Sequence, residues 1–131
     1  MVDARQPIRA GGADARMALF RARSDALELI RDLQSDAAAI ASSTADGPDD
    51  EHDPEGPTLG YERARVAALL ENARGALRAI EEAIARAESG GYGRCEACGR
   101  AIAAERLAAI PAARWCTSCA RGRRLQGRLR G

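Results

Sequence analysis

Two Cys-x-x-Cys pairs, Cys95-Glu96-Ala97-Cys98 and Cys116-Thr117-Ser118-Cys119, lie seventeen residues apart in a chain of 131 residues. A tight turn across each two-residue spacer brings two sulfurs to one ion, and four thiolates complete a tetrahedron. These four are all the cysteines in the sequence. The pattern predicts one structural Zn²⁺ site whose ligands are Cys95, Cys98, Cys116 and Cys119.

Two disulfides, or a redox-active dithiol beside an unrelated pair, are the alternatives to a metal site. The start of the sequence, Met1-Val2-Asp3-Ala4-Arg5, lacks the apolar region of a secretory signal, and no apolar run approaches transmembrane length. We therefore expect a cytoplasmic protein without a membrane partner, since paired thiols in a reducing compartment favour metal over disulfides. Iron is the minor competitor for the four thiolates. A closed site with no base beside it predicts that the protein is not an enzyme.

The composition limits the size of the core. The chain has four aromatic side chains, Phe20, Tyr61, Tyr92 and Trp115, and a formal net charge of +1. That charge argues against general adhesion to nucleic acid or membrane. Structural zinc contributes on the order of 10–16 kcal/mol in finger peptides, more than so small a core usually supplies. The four sulfurs are therefore expected to stabilise much of the small domain.

The clearest helical periodicity lies between Thr58 and Ser89. Apolar side chains recur there in alternating steps of four and three, the spacing of a coiled-coil seam. They are Val66, Leu70, Ala73, Leu77, Ile80, Ile84 and Ala87. We expect Thr58 to cap the start of this helix, Ser89-Gly90-Gly91 to end it, and Gly75 to lie on its outer face.

A second helical segment, from about Asp14 to about Thr44, has a looser apolar stripe. The stripe consists of Phe20, Leu27, Ile30, Leu33, Ala37 and Ile40. Two helices of similar length joined by one polar loop should fold back on each other as an antiparallel hairpin. Each helix would be roughly 45 Å long.

The loop between the two helices is strongly acidic. Six carboxylates lie within ten residues: Asp46, Asp49, Asp50, Glu51, Asp53 and Glu55. One interpretation is a solvated turn that its charge keeps soluble. The other is an acidic probe that contacts a basic surface or a metal held by a partner.

The other end of the chain is locally basic. Five arginines follow the last cysteine with no acidic residue among them: Arg121, Arg123, Arg124, Arg128 and Arg130. They are candidates for contact with phosphates or with an acidic protein surface. No aromatic residue is interleaved with them for base stacking, so we do not expect direct sequence-specific DNA binding.

The residues around the cysteines resemble the C4-type zinc finger of the TraR/DksA family of bacterial transcription regulators. The resemblance rests on Gly91-Tyr92-Gly93-Arg94-Cys95-Glu96-Ala97-Cys98-Gly99, followed by Ile102, Arg106-Leu107, Ala109, Pro111, Cys116 and Cys119. A heptad hairpin also precedes the finger in the expected order. The resemblance covers most of the chain, through motifs in the zinc region and through architecture in the hairpin.

The resemblance implies a partner and a mode of action. Such proteins bind RNA polymerase and insert the hairpin into its secondary channel, which alters transcription initiation, often together with an alarmone nucleotide. The implied polymerase-directed residues of the tip are Asp50, Asp53 and Glu55. The best-known tip in the family reads Asp-x-x-Asp-x-Ala. Here Asp50 and Asp53 keep the acidic spacing, and Glu55 stands where the alanine belongs.

The sequence thus predicts a mainly α-helical protein in three parts. Residues 1–13 form a flexible N-terminal segment, residues 14–89 a coiled-coil hairpin with its acidic tip at 45–57, and residues 90–131 a C4 zinc-finger domain with a C-terminal helix and a basic tail. Two functions remain open. One is a monomeric, non-catalytic regulator that docks on RNA polymerase. The other is a zinc-stapled adaptor or nucleic-acid-binding module that acts through the basic tail.

Overall fold

The computed structural model describes residues 12–45 and 56–129. Four helices account for most of them: α1 (Gly12–Ala45), α2 (Gly56–Ser89), α3 (Ala104–Ala109) and α4 (Thr117–Leu129). Between α2 and α3, the backbone forms one isolated antiparallel bridge, which joins Arg94 to Ala101. The prediction of a mainly α-helical fold with a C-terminal helix is confirmed.

The described residues divide into two compact units. The first contains residues 24–45 and 56–78, and the second contains residues 12–23 and 79–129. Each unit therefore takes one part of α1 and one part of α2, and the second unit also includes all four cysteines.

The first unit is held together by the seam between the two long helices. Ile30 and Leu33 of α1 are buried against Val66 and Ala73 of α2. Partly buried apolar side chains line the same seam, namely Ala37, Ile40, Leu70 and Leu77. The predicted seam of α2 is confirmed here, because the steps of four and three keep one apolar stripe on the face that meets α1.

The register of α1 differs from the prediction near its start. Phe20 was expected in the seam, but it is 49% exposed, whereas its neighbour Leu19 is fully buried. Leu19 packs in the second unit against Ala83 and Tyr92. The buried positions of α1 run 19, 26, 30 and 33, in steps of seven, four and three. A single residue turns a helix by about 100°, which is enough to carry Phe20 off this face.

The ends of α2 agree with the prediction at one terminus and not at the other. The helix begins at Gly56, so Thr58 lies inside its first turn and is not the cap. At the other end, the Gly91 N–H donates to the Arg86 carbonyl at 2.9 Å, and Gly90 has φ of 86°. This is the Schellman arrangement, which requires a left-handed residue after the helix. The predicted stop at Ser89-Gly90-Gly91 is therefore confirmed.

Within the described ranges, we find no helix that combines the length and the apolar character needed to cross a membrane.

Candidate metal centre

The first cysteine pair lies on a tight loop between α2 and α3. The Cys95 N–H donates to the Arg100 carbonyl at 2.8 Å, and the Gly99 N–H donates back to the Cys95 carbonyl at 2.9 Å. A further bond of 2.7 Å from the Ile102 N–H to the Gly93 carbonyl closes the base of the loop. Gly99 has φ of 75°, a conformation that costs a residue with a Cβ roughly 1–2 kcal/mol. The loop thus presents Cys95 and Cys98 on one side.

The second pair lies at the start of α4. Cys119 is in the first turn, and Cys116 directly precedes the helix, with its carbonyl accepting the Ala120 N–H at 2.9 Å. The two cysteine loops are joined by a 2.9 Å hydrogen bond from the Glu96 N–H to the Arg114 carbonyl. This backbone link brings the second pair to the first.

The four sulfurs form one cluster of tetrahedral dimensions. All four Sγ atoms lie within 4.8 Å of one another, and Cys98 Sγ is 3.9 Å from Cys116 Sγ. Zinc–sulfur bonds of about 2.3 Å in a tetrahedron place the sulfurs about 3.8 Å apart. A disulfide would need about 2.05 Å, and all four cysteines are free. The donor set fits a single Zn²⁺ ion, as the cysteine spacing predicted, with no disulfide in the cluster.

The thiols of Cys95 and Cys119 have pKa values that are shifted in opposite directions. Burial raises the pKa of the Cys95 thiol, but hydrogen bonds from the backbone at Cys116, Cys98 and Ala97 outweigh burial and lower that pKa to about 6. Hydrogen bonds to the sulfurs of Cys116 and Cys95 raise the pKa of the Cys119 thiol to about 12. Four adjacent thiolates repel one another, so all four ionise together only when a cation balances their charge. This chemistry also favours a bound divalent ion.

Tyr92 anchors the finger to the long helices. Its ring is buried with Leu19 of α1 and Ala83 of α2, and its hydroxyl donates to the Pro111 carbonyl at 2.8 Å. Burial raises the pKa of the Tyr92 hydroxyl. A single side chain therefore connects the loop before Cys95, the segment after α3 and the packed ends of α1 and α2.

Trp115, directly before Cys116, is flanked by guanidinium groups. Arg123 lies 4.4 Å and Arg114 lies 5.3 Å from the centroid of its ring. Arg106 Nε donates to the Trp115 carbonyl at 2.8 Å. These contacts hold the segment that leads into the second cysteine pair.

The five predicted basic-contact residues are not equivalent. Arg121, Arg123 and Arg124 are all exposed on α4, and Arg123 also contacts the ring of Trp115. The side chain of Arg128 and the whole of Arg130 lie outside the part of the chain that the structure describes. Asp50, Asp53 and Glu55, the predicted tip residues, also lie outside it.

Four charged side chains connect the cysteine loops to α2 through a series of ion pairs that starts and ends on α2, so that the helix itself closes a ring. Arg114 donates to Glu96 Oε2 from Nε at 3.0 Å and from Nη2 at 2.8 Å. Arg114 Nη1 also lies 3.7 Å from Glu82 Oε2, and Arg86 Nη1 lies 3.8 Å from Glu96 Oε1. The hydrogen bond from Arg114 holds the pKa of the Glu96 carboxyl below its usual range.

Sequence reasoning missed this ring. Helical spacing suggests that Glu82 pairs with Arg78 or Arg86 on its own helix. Instead, the ion pairs of Glu82 and Arg86 reach the finger, and Arg78 pairs with Glu71 at 3.9 Å. One sequence feature could have indicated these contacts, namely the position of two charged residues beside the ligands. Glu96 lies between two ligand cysteines, and Arg114 lies two residues before a third.

The comparison with known proteins agrees with this geometry. Residues 90–124 match the family model of the prokaryotic dksA/traR C4-type zinc finger. These residues form a C4-type zinc finger of the dksA/traR kind. A curated protein from Aquifex aeolicus (strain VF5), described as uncharacterized, is 50% identical over 44 residues. That match spans 34% of this chain and 30% of the relative.

A solved structure shares the fold. The transcription factor DksA2 from Pseudomonas aeruginosa is 24% identical, with a TM-score of 0.50 over 88% of each chain. The finger match covers residues 90–124, whereas the structural match covers 88% of the chain. The structural likeness therefore extends beyond the DksA/TraR finger into the two long helices. The predicted arrangement of a hairpin followed by a finger is confirmed.

The motif positions of the DksA/TraR finger have identifiable structural roles in this chain. Gly99 supplies the left-handed turn after the second cysteine, and Ile102 is buried at the base of the loop. Arg106 donates a hydrogen bond to the Trp115 carbonyl, and the Pro111 carbonyl accepts one from the Tyr92 hydroxyl. Leu107 packs against the cluster that contains Tyr92. The motif thus encodes the supports of the metal site as well as its ligands.

Proposed function

We propose that this protein is a non-catalytic transcription regulator that binds RNA polymerase and inserts its helical hairpin into the secondary channel to modulate initiation. The observation that carries the proposal is the DksA/TraR finger attached to two antiparallel helices of 34 residues each. The regulator acts in the cytoplasm as a monomer. Residues Asp50, Asp53 and Glu55 of the loop between the helices are the part directed at the enzyme.

The dimensions and charge of the hairpin support this mode of action. A helix of 34 residues is about 51 Å long. The buried positions of α2 include two alanines, Ala73 and Ala83. Six carboxylates lie in the connecting loop. A negative loop carried on stiff helices can perturb a magnesium-dependent site electrostatically, without chemistry of its own.

The metal centre supports a structural role for zinc. All four coordination positions belong to cysteines, which leaves none open for substrate. When it is bound, zinc joins the two cysteine loops through its bonds to their four sulfurs. The residues around it, Tyr92 and Arg114 above all, connect those loops to the long helices. The finger therefore serves to hold the hairpin.

The second candidate function, an adaptor or nucleic-acid-binding module, rests on the exposure of Arg121 and Arg124 on α4. Phosphate binding would weaken steeply as salt rises and would depend on these arginines. Polymerase binding would depend on the hairpin instead.

The test is co-purification of the tagged, zinc-loaded chain with the host RNA polymerase, followed by transcription in vitro. The effector variant changes Asp50, Asp53 and Glu55 to alanine. A matched control changes the other three acids of the loop, Asp46, Asp49 and Glu51, and so removes the same charge. We expect both variants to bind the polymerase and only the effector variant to lose its transcriptional effect.

Two outcomes contradict the proposal. If the intact chain does not bind the polymerase at physiological salt, the leading function is wrong. If both loop variants lose the transcriptional effect equally, the loop acts through total charge and the three named residues have no special role. Binding of nucleic acid that disappears in an Arg121→Ala, Arg124→Ala variant would favour the second candidate.

A further inference from the structure

We infer that the ring of Glu82, Arg86, Glu96 and Arg114 couples metal occupancy to the C-terminal turns of α2. The two halves of the metal site each contribute one member. Glu96 follows the ligand Cys95, and Arg114 precedes the ligand Cys116 by two residues. The other two members lie on α2, outside both cysteine loops.

The backbone of α2 closes the ring between Glu82 and Arg86, and the charges of the ring balance. Glu82 and Arg86 are four residues apart, so they lie on neighbouring turns of one helix. From Glu82 the contacts run to Arg114, then to Glu96, and back to α2 at Arg86. Acid and base alternate around it, two of each. Each cysteine loop is thus held to the same two turns of α2.

Metal binding should make this ring easier to form. Without a metal, Glu96 and Arg114 lie on separate loops that are linked by the backbone bond from the Glu96 N–H to the Arg114 carbonyl. With a metal, the four sulfurs fix both loops around one ion, and the two side chains are already positioned to bind α2. The entropic cost of ordering the side chains of Glu96 and Arg114 is then smaller in the metal-loaded chain.

Thermodynamic linkage turns this into a measurable consequence. If metal binding strengthens the contacts of the ring, then breaking those contacts must weaken metal binding by the same factor. The effect should appear even for Glu82, which is thirteen residues before the first cysteine in the sequence and belongs to α2. A residue whose contacts are equally strong in the metal-free and the metal-loaded chain would not change the metal affinity.

The experiment measures the Zn²⁺ affinity of the full-length chain by competition with a chelator. The test variant is Glu82→Gln, and the matched control is Glu81→Gln. Glu81 directly precedes Glu82 in α2, is similarly exposed and pairs with Arg23 of α1 at 3.6 Å, away from the finger. We expect Glu82→Gln to weaken Zn²⁺ binding about two- to five-fold, as for a partly exposed ion pair, and Glu81→Gln to leave it unchanged.

Two further measurements complete the test. Glu96→Gln should weaken Zn²⁺ binding about tenfold, the size usual for groups that support metal ligands. The double variant should lose less than the product of the two factors, since both changes break one network. The difference between Glu82→Gln and the control should shrink at high salt, because the pairs are partly exposed.

Equal Zn²⁺ affinities for Glu82→Gln and Glu81→Gln, with both zinc-loaded variants folded by circular dichroism, would overturn the coupling. So would independent effects of Glu82→Gln and Glu96→Gln that multiply in the double variant. The measurement requires no polymerase, and its outcome is therefore separate from that of the proposed function.

Discussion

Replacing Leu19 with alanine tests the register of α1, where the structure and the sequence pattern disagree. Leu19 is fully buried in the cluster that joins α1, α2 and Tyr92. Its neighbour Phe20 is the larger side chain and the one that the apolar stripe places in the seam, yet it is 49% exposed. Leu19→Ala should therefore destabilise the protein more than Phe20→Ala does, although phenylalanine is the larger side chain.

The magnitude follows from burial. Leu19→Ala removes three carbon groups, worth about 0.8 kcal/mol each in transfer free energy, and leaves a cavity beside the ring of Tyr92. We expect the free energy of unfolding to fall by about 3–4 kcal/mol. Phe20→Ala removes a half-exposed ring and leaves no enclosed cavity. Alanine also has the higher helix propensity, so this change should cost about 1 kcal/mol or less.

Guanidinium denaturation of the zinc-loaded chain measures both effects. Trp115 is the single tryptophan of the sequence and lies in the same compact unit as Leu19, so its fluorescence reports the relevant part of the molecule. Circular dichroism follows the helices in parallel. A cost for Phe20→Ala that equals or exceeds the cost for Leu19→Ala would refute the register described here.

Three further predictions concern the glycines, the metal and the tyrosine. Gly75→Ala should raise the free energy of unfolding by about 0.5–1 kcal/mol, because the added Cβ meets only Arg78 Nη2, at an ordinary contact distance of 3.6 Å. Gly90→Ala should lower the free energy of unfolding by about 1 kcal/mol in the same denaturation assay, because Gly90 has φ of 86°. Chelation of zinc, or Cys98→Ser, should abolish the ordered finger, as seen by loss of amide-exchange protection after residue 90, whereas protection in unaffected loops would contradict this. The raised pKa of Tyr92 means that the folded state keeps its proton longer than the unfolded state, so stability should decline as pH rises above about 10, and Tyr92→Phe should lack that decline.

The features predicted well from sequence are those encoded by local spacing. The two cysteine pairs specify the metal cluster, because each spacer determines where its sulfurs lie. The α2 seam follows from Val66, Leu70, Leu77 and Ile80, whose apolar character is strong enough to define one face. The helix ends after Ser89 because the next residue, Gly90, adopts the left-handed conformation that glycine tolerates.

The features predicted less well depend on contacts between distant residues or on weak local signals. In α1, alanine occupies so many positions that the stripe is poorly defined, and adjacent Leu19 and Phe20 fit almost equally well. The start of α2 at Gly56, two residues before Thr58, had a signal in Pro57, since proline is tolerated in the first turn of a helix. For the ion ring, the position of Glu96 and Arg114 beside ligand cysteines was a signal, but their partners on α2 are brought to them only by the fold.

Packing alone gives the finger few large apolar contacts with the long helices. In the cluster around Tyr92, the large buried side chains are Leu19 and Tyr92 itself. Ile84 of α2 packs against them partly buried, and the other helix residues of the cluster are Ala15, Ala83 and Ala87. Alanine allows close approach but buries little apolar area, so its contribution to stability is small. Polar contacts must then do more to fix the orientation of the finger on α2. The hydrogen bond from Tyr92 to Pro111 and the ring through Glu82 and Arg86 are directional, and both depend on loops that the metal cluster orders. Metal binding and the docking of the finger on the hairpin are therefore one coupled equilibrium.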